Sequence, residues 1–187
     1  GYLLEGTSAL ERIRFIAEYA EQKLGIEGYA EKFYHYMARG YYSLSSPIWS
    51  NFGVDRGLSI SCFGSYIGDS INAIMSTVAE IGVMSKLGGG TSGYFGDIRP
   101  RGSNITNNGK SNGSFAFTKL FEATIDTISQ GPSRKGMFAG YIDIDHGDIE
   151  EWLDIHTEGN PIQLMYYGVC VSHEWLESMK AGDPYKR

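Results

Sequence analysis

From Leu58 onward the chain alternates between short strand-like runs and amphipathic helical stretches, and that alternation confines the fold. Leu58 to Tyr66 reads as a strand. Asp69 or Ser70 then caps a helix that carries Ile71, Ile74, Met75, Val78 and Ile81 on its apolar side. Gly88 to Gly93 reads as a loop, and the next helix holds Phe117, Leu120, Phe121, Thr124, Ile125 and Ile128. Met137 to Ile144 and Leu164 to Val171 read as strands flanking a short helix from Asp148 to Ile155. Ser172 caps a last helix with Trp175, Leu176 and Met179.

Upstream the pattern is helical. Ser8-Ala9-Leu10-Glu11 is a capping box, followed by Leu10, Ile13, Ala17, Ala20 and Leu24 at helical spacing, with Gly25 as the stop. A second helix is predicted over Tyr29 to Arg39, burying Phe33, Tyr34 and Met37. Tyr41 to Gly57 reads as irregular, with Ser46-Pro47 favouring extended backbone. Helices leading into alternating strands and helices imply a helical lead-in to an α/β sheet or barrel.

Composition narrows the function classes. With 187 residues, 42% hydrophobic and 20% charged, the chain is globular. A net charge of −6 argues against a general nucleic-acid binder. No apolar stretch is long enough to span a bilayer and no signal pattern opens the chain, so a reducing cytoplasmic setting is expected. Two widely separated cysteines form no disulfide framework.

Several motifs invite a chemical reading. Gly88-Gly89-Gly90-Thr91-Ser92-Gly93 formally fits a dinucleotide fingerprint, but a helix precedes it where a strand is required. A helix C-cap explains Gly88, and close backbone approach to a ligand is one reason for three successive glycines. Asp143-Ile144-Asp145-His146-Gly147-Asp148 has the wrong spacing for a calcium loop and reads as a strand end before an Asp-capped helix. His35, His146, His156 and His173 lack metal-ligand spacing and read as structural or solvated. Arg99 and Arg101 flank Pro100, and Arg134 and Lys135 lie in a second polar loop; such basic residues are most often simply solvated, and the weaker reading from composition is that two basic loops in an acidic chain suit phosphate oxygens. By itself, Cys62 on an apolar strand reads as an inert core thiol.

The order of these blocks changes that reading. Ser46-Pro47-Ile48-Trp49-Ser50-Asn51, Ser61-Cys62, Gly68-Asp69-Ser70-Ile71, Gly89-Gly90, Ile98-Arg99 to Asn104-Ile105 and Ser129-Gln130-Gly131 to Arg134 follow one another at compatible spacing. Together with Glu158-Gly159-Asn160 and Tyr167-Gly168-Val169, they resemble the catalytic large subunit of ribonucleotide reductase from about Ser46 to the C-terminus. The resemblance implies a helical region, residues 1–45, and the first half of a ten-stranded α/β barrel, residues 46–187.

The implied enzyme is a ribonucleoside-diphosphate reductase, with triphosphates left open as substrates. A thiyl radical abstracts the ribose 3′-hydrogen, and a cysteine pair then supplies protons and electrons, becomes a disulfide, and is reset by thioredoxin or glutaredoxin. Carried over residue by residue, Cys62 is one of the reducing pair. Ser46 and Ser61 hydrogen-bond substrate phosphate or sugar, and Gly89 and Gly90 belong to the glycine loop that touches substrate. Asp69, Ser70, Ile71, Arg99 and Ile105 form the site of a dNTP or ATP effector. Gln130 and Arg134 relay effector identity to the substrate base.

This chain has no Asn-x-Cys-x-Glu segment for the radical cysteine, and Cys170 reads as a buried thiol. The expected partners are therefore the remaining half of the large subunit, a second copy in a homodimer and a radical-generating small subunit. No cofactor is expected on this chain; the radical comes from a di-metal partner or from cobalamin. No direct nucleic-acid or membrane contact is expected. Two alternatives stay open: a nucleotide-binding regulator without chemistry, and a segment of a glycyl-radical enzyme with the same barrel.

Overall fold

The computed structural model describes residues 3, 6–55, 57–128 and 136–182. The chain divides into two compact units after Ser61.

The N-terminal unit holds α1 (Ala9–Leu24), α2 (Tyr29–Ala38) and α3 (Ser46–Asn51). The capping box forms: Ser8 Oγ accepts from Glu11 N–H, and the Glu11 carboxylate accepts from Ser8 N–H at 2.7 Å. These hydrogen bonds hold the Glu11 carboxyl below its ordinary pKa. Gly25 closes α1 in the left-handed conformation. Gly28 has no side chain with which to cap α2, so the Glu21 carboxylate of α1 accepts from Ala30 N–H instead.

Two expectations change here. Leu10 and Leu24 are exposed, and the buried face of α1 is Arg12, Ile13, Ile16 and Ala17. Ser46-Pro47 is helical, because a proline in a first turn gives up only an N–H that has no intrahelical partner.

The second unit is a four-stranded sheet with β1 (Cys62–Tyr66), α4 (Ile71–Lys86), β2 (Gly90–Tyr94), α5 (Ser114–Ile128), β3 (Met137–Asp143), α6 (Ile149–Leu153), β4 (Tyr166–Cys170) and α7 (His173–Ala181). The strands lie in sequence order and all pair parallel, so each connection is a helical crossover. One face buries Thr91, Phe138 and Ile142 beneath the helices. The core is aromatic: Phe95 meets Phe121, Phe138 and Trp152 edge-on, and Phe121 stacks on Phe138. A side chain at Gly140 would come within 2.7 Å of the Trp152 ring, so the indole needs glycine there.

Differences from the expected elements have local causes. The first strand begins only at Cys62, and α5 begins at Ser114, three residues before Phe117. The glycine run is not one loop. Gly88 N–H to Ser85 O and Gly89 N–H to Met84 O form a Schellman close of α4, with Gly88 left-handed at φ +81°. Gly89 is then packed under Phe63, whose ring would lie 2.6 Å from a Cβ, and Gly90 already opens β2. Ile71 and Met75 face outward from α4, whereas Ile74 and Ile81 are buried. No residue of α7 is buried, although Ser172 caps it as expected through Trp175 N–H.

A carboxylate ties α5 to the approach to β4. Glu122 accepts from the backbone N–H groups of Gln163, Leu164 and Met165 at 3.0–3.2 Å. Hydrogen bonds to a charged acceptor contribute roughly 1.5–3 kcal/mol, less when solvent reaches them. Glu122→Ala is expected to speed hydrogen exchange at residues 163–165 by about tenfold, a local loss of about 1.4 kcal/mol. Unchanged exchange there would show that the carboxylate is incidental.

Candidate functional site

Alternation along each strand sends every second side chain to the face opposite the helices. On that face lie Cys62 and Gly64 of β1, Gly90 and Ser92 of β2, Met137 and Ala139 of β3, and Tyr166 of β4. A parallel sheet is ordinarily covered on both sides. Within this unit, among the described residues, helices cover one side only, and Tyr66, Tyr141 and Tyr166 are exposed on the other. Closure of the sheet into a barrel covers such a face.

Cys62 is exposed at the start of β1, directly beside Gly90 in the strand register. Both line a pocket of about 330 Å³ whose walls include Gly64, Ser92, Ala139 and Tyr166. The glycine beside the thiol leaves the space above it open. Ser61 is the last residue of the N-terminal unit, and Ser46 opens α3 in the same unit. Gly89 lies outside the pocket, and its packing against Phe63 accounts for the missing side chain.

Cys170 shares this face but is half-buried rather than buried, and its row is that of Asp143. Desolvation and then the Asp143 charge raise its thiol pKa, which keeps it protonated and weakly nucleophilic. It lies three strands from Cys62, which separates them by roughly 14 Å across the sheet, with a further offset of roughly 20 Å along the strands. A disulfide spans only about 5.5 Å between Cα atoms, so the two thiols cannot pair in this arrangement. Between their rows Tyr66, Tyr94 and Tyr141 stand in register. The Tyr94 hydroxyl donates to the Asp143 carboxylate, and that bond raises the Tyr94 pKa well above the ordinary phenol value.

A second cluster forms beyond the C-terminal end of β1. Ser70 caps α4 by accepting from Ala73 N–H, which leaves Asp69 for another role. The Asp69 carboxylate accepts from Arg99 Nε at 2.6 Å and from Arg99 N–H at 3.3 Å. The pair is about one-third exposed. Arg99 Nη1 also donates to Asn104 O. Residues 99–111 form a hairpin joined by Gly102 N–H to Ser111 O, Ser111 N–H to Ser103 O and Ile105 N–H to Gly109 O. Ile105 is thereby part of an ordered element, and Ile71 is exposed on the first turn of α4.

Arg101 is neither simply solvated nor open to a phosphate: its guanidinium is held bidentately by Glu151, both contacts at 2.6 Å. Asp148 does not cap α6 with its side chain. It accepts from Ser114 N–H, Ser114 Oγ–H and Arg101 N–H, and so caps α5 from another element. Gln130 and Arg134 lie outside the described residues. Of the histidines, His146 is buried and its Nε2 meets Ile98 O, while His156 is exposed with its Nε2 on Met165 O. Among the described residues no group of three acidic, histidine or cysteine side chains could hold a metal. Among the described residues, no helix is long and apolar enough to cross a membrane.

Three comparisons bear on this arrangement. The class Id ribonucleotide reductase alpha subunit of Actinobacillus ureae superposes with a TM-score of 0.87 and 78% identity, over 99% of this chain and 34% of that one. The ribonucleoside-diphosphate reductase large subunit of Plasmodium falciparum is 34% identical over 79% of this chain and 19% of its own length. The vitamin B12-dependent ribonucleoside-diphosphate reductase of Thermoplasma acidophilum is 32% identical over 83% of this chain and 20% of its own length. The chain thus spans about a fifth of these curated relatives. Residues 60–186, which contain every strand of the sheet, match the family described as the ribonucleotide reductase barrel domain, and the chain belongs to that family.

Proposed function

We propose that this chain is the helical lead-in and first half-barrel of a ribonucleoside-diphosphate reductase catalytic subunit. The observation that carries the reading is the exposed Cys62 beside Gly90 on the bare sheet face. A ribose placed over Gly90 puts its 2′-hydroxyl within reach of the thiol. Cys62 S–H gives its proton to the departing 2′-oxygen, which leaves as water. Bond formation with a second thiol on the other half-barrel then supplies two electrons. Per turnover, a ribonucleotide and two thiols become a deoxyribonucleotide, a disulfide and water. Thioredoxin or glutaredoxin reduces that disulfide. Ser61, Ser46 and the Gly90 backbone hold phosphate and sugar.

The radical that opens the reaction originates outside this chain, at a di-metal partner subunit or at cobalamin. The relatives named above include a class Id alpha subunit and a vitamin B12-dependent reductase. A homodimer fits the surface of α4 and α5. An apolar groove of about 510 Å³ lies between them, lined by Val78, Gly82, Val83, Lys86, Thr124 and Ile128. The exposed Ile71 and Met75 extend that apolar surface on α4. A cytoplasmic location follows from the thiol chemistry.

Asp69 and Arg99 form the effector site. A triphosphate draws the Arg99 guanidinium onto its oxygens, and the Asp69 carboxylate then accepts from the deoxyribose hydroxyl. In the full-length subunit, calorimetry with dTTP is expected to show Arg99→Ala binding at least tenfold more weakly. The loss corresponds to a charge-assisted contribution of about 1.5–3 kcal/mol. Equal affinity in the two proteins would remove the effector assignment.

A further inference from the structure

Three consecutive residues grip the strand-to-hairpin segment on either side of Arg99. His146 accepts from Asp148 N–H at Nδ1, so its proton lies on Nε2, which donates to Ile98 O at 2.8 Å. Gly147 leaves room for the Pro100 ring, whose Cβ would stand 2.8 Å from a side chain there. Asp148 accepts from Arg101 N–H at 2.8 Å while also holding Ser114, the first residue of α5. Ile98, Pro100 and Arg101 are thus each fixed by one residue of the turn. Arg99, between them, is fixed by none of the three and points to Asp69.

We propose that the turn His146-Gly147-Asp148 is the positioning element of the Asp69–Arg99 site, setting its effector affinity without touching the ligand. This rests on the reading of that pair as the effector site. A carboxylate only 3% exposed is costly unless donors surround it. Here two of its donors begin α5 and the third belongs to the hairpin, so the same buried charge registers the hairpin against the helix. Arg99 reaches Asp69 through both its backbone N–H and its Nε. A shift of the backbone at Pro100 therefore moves both contacts, and positioning to within about half an ångström is what such a site requires.

The test uses the full-length subunit and dTTP as the probe. Gly147 has no left-handed backbone, so alanine is conformationally allowed, and its methyl group must push Pro100 aside. Gly147→Ala is expected to raise the dTTP Kd about tenfold while changing the melting temperature little. Adding Pro100→Gly removes the clashing ring and is expected to restore most of that affinity, which a general loss of stability would not permit. Asp148→Asn, which keeps one acceptor oxygen, is expected to weaken binding as well and serves if the alanine variant does not fold. Unchanged affinity in Gly147→Ala and Asp148→Asn, with Arg99→Ala still weakened, would overturn the positioning role and leave the effector site standing. Unchanged affinity in all three would overturn both.

Discussion

In the complete reductase, Cys62→Ser is expected to abolish deoxyribonucleotide formation, while Cys170→Ser retains most of it. A serine at position 62 could still donate a proton. It cannot form the disulfide that supplies two electrons, so the reaction stops for want of a reductant and not of an acid. Cys62 is exposed, lines the pocket and lies beside Gly90. Cys170 is half-buried in the row of Asp143, and its thiol is held protonated by desolvation and by that charge. A hydroxyl at position 170 meets a polar neighbour, which lowers the cost of the exchange below that for an apolar site. The measurement is product formed per active site with thioredoxin regeneration. Repeated turnover by Cys62→Ser would remove the thiol from the mechanism. Loss of turnover in Cys170→Ser would give the second cysteine a role that its distance from Cys62 opposes.

The elements of the second unit were legible because their signals are local. Strand-length apolar runs, the Ser70 and Ser172 caps and a glycine at the end of α4 each act within a few residues. The order of the motifs singles out Cys62, Asp69 and Arg99, and the structure sets Cys62 beside Gly90 and pairs Asp69 with Arg99. What the sequence withheld depends on contacts across many residues. Gly89 resembles a ligand-facing glycine until Phe63 is seen against it. Asp148 has every local mark of an α6 cap, yet its carboxylate serves residues 34 and 47 positions away in sequence. Arg101 and Arg99 look equivalent around Pro100. Only the fold shows that one is committed to Glu151 and the other to Asp69. The face of α4 followed the same rule: Ile71 and Met75 satisfy the apolar pattern but point away from the sheet. No alternation or spacing announced Arg12, which is the most buried charge among the described residues of the N-terminal unit.

Arg12→Met is expected to open α3 and expose it to protease. Arg12 is 1% exposed on α1. Its Nε donates to Trp49 O at 2.8 Å, and its Nη2 donates to Phe52 O at 2.7 Å and to Ile48 O at 3.2 Å. These carbonyls lie at the C-terminal end of α3, a helix of six residues. So short a helix has almost no stability of its own, and its last carbonyls need partners from outside. A guanidinium there satisfies them and meets the negative end of the helix dipole. Methionine keeps the apolar stem but takes the guanidinium away from the Trp49 and Phe52 carbonyls, while Ile48 O keeps the Phe52 N–H. Leaving a buried acceptor without its donor costs about 1–3 kcal/mol for each group. Arg12→Lys restores the charge but not the planar fork that reaches several carbonyls at once, so it is expected to recover only part of the loss. Chymotrypsin cutting beside Trp49 and Phe52 reports the open population when opening is fast relative to cleavage. A loss of about 3 kcal/mol corresponds to roughly a hundredfold faster cutting in Arg12→Met, with Arg12→Lys in between. Equal cleavage rates in the wild type and both variants would show that α3 is held by its apolar contacts alone.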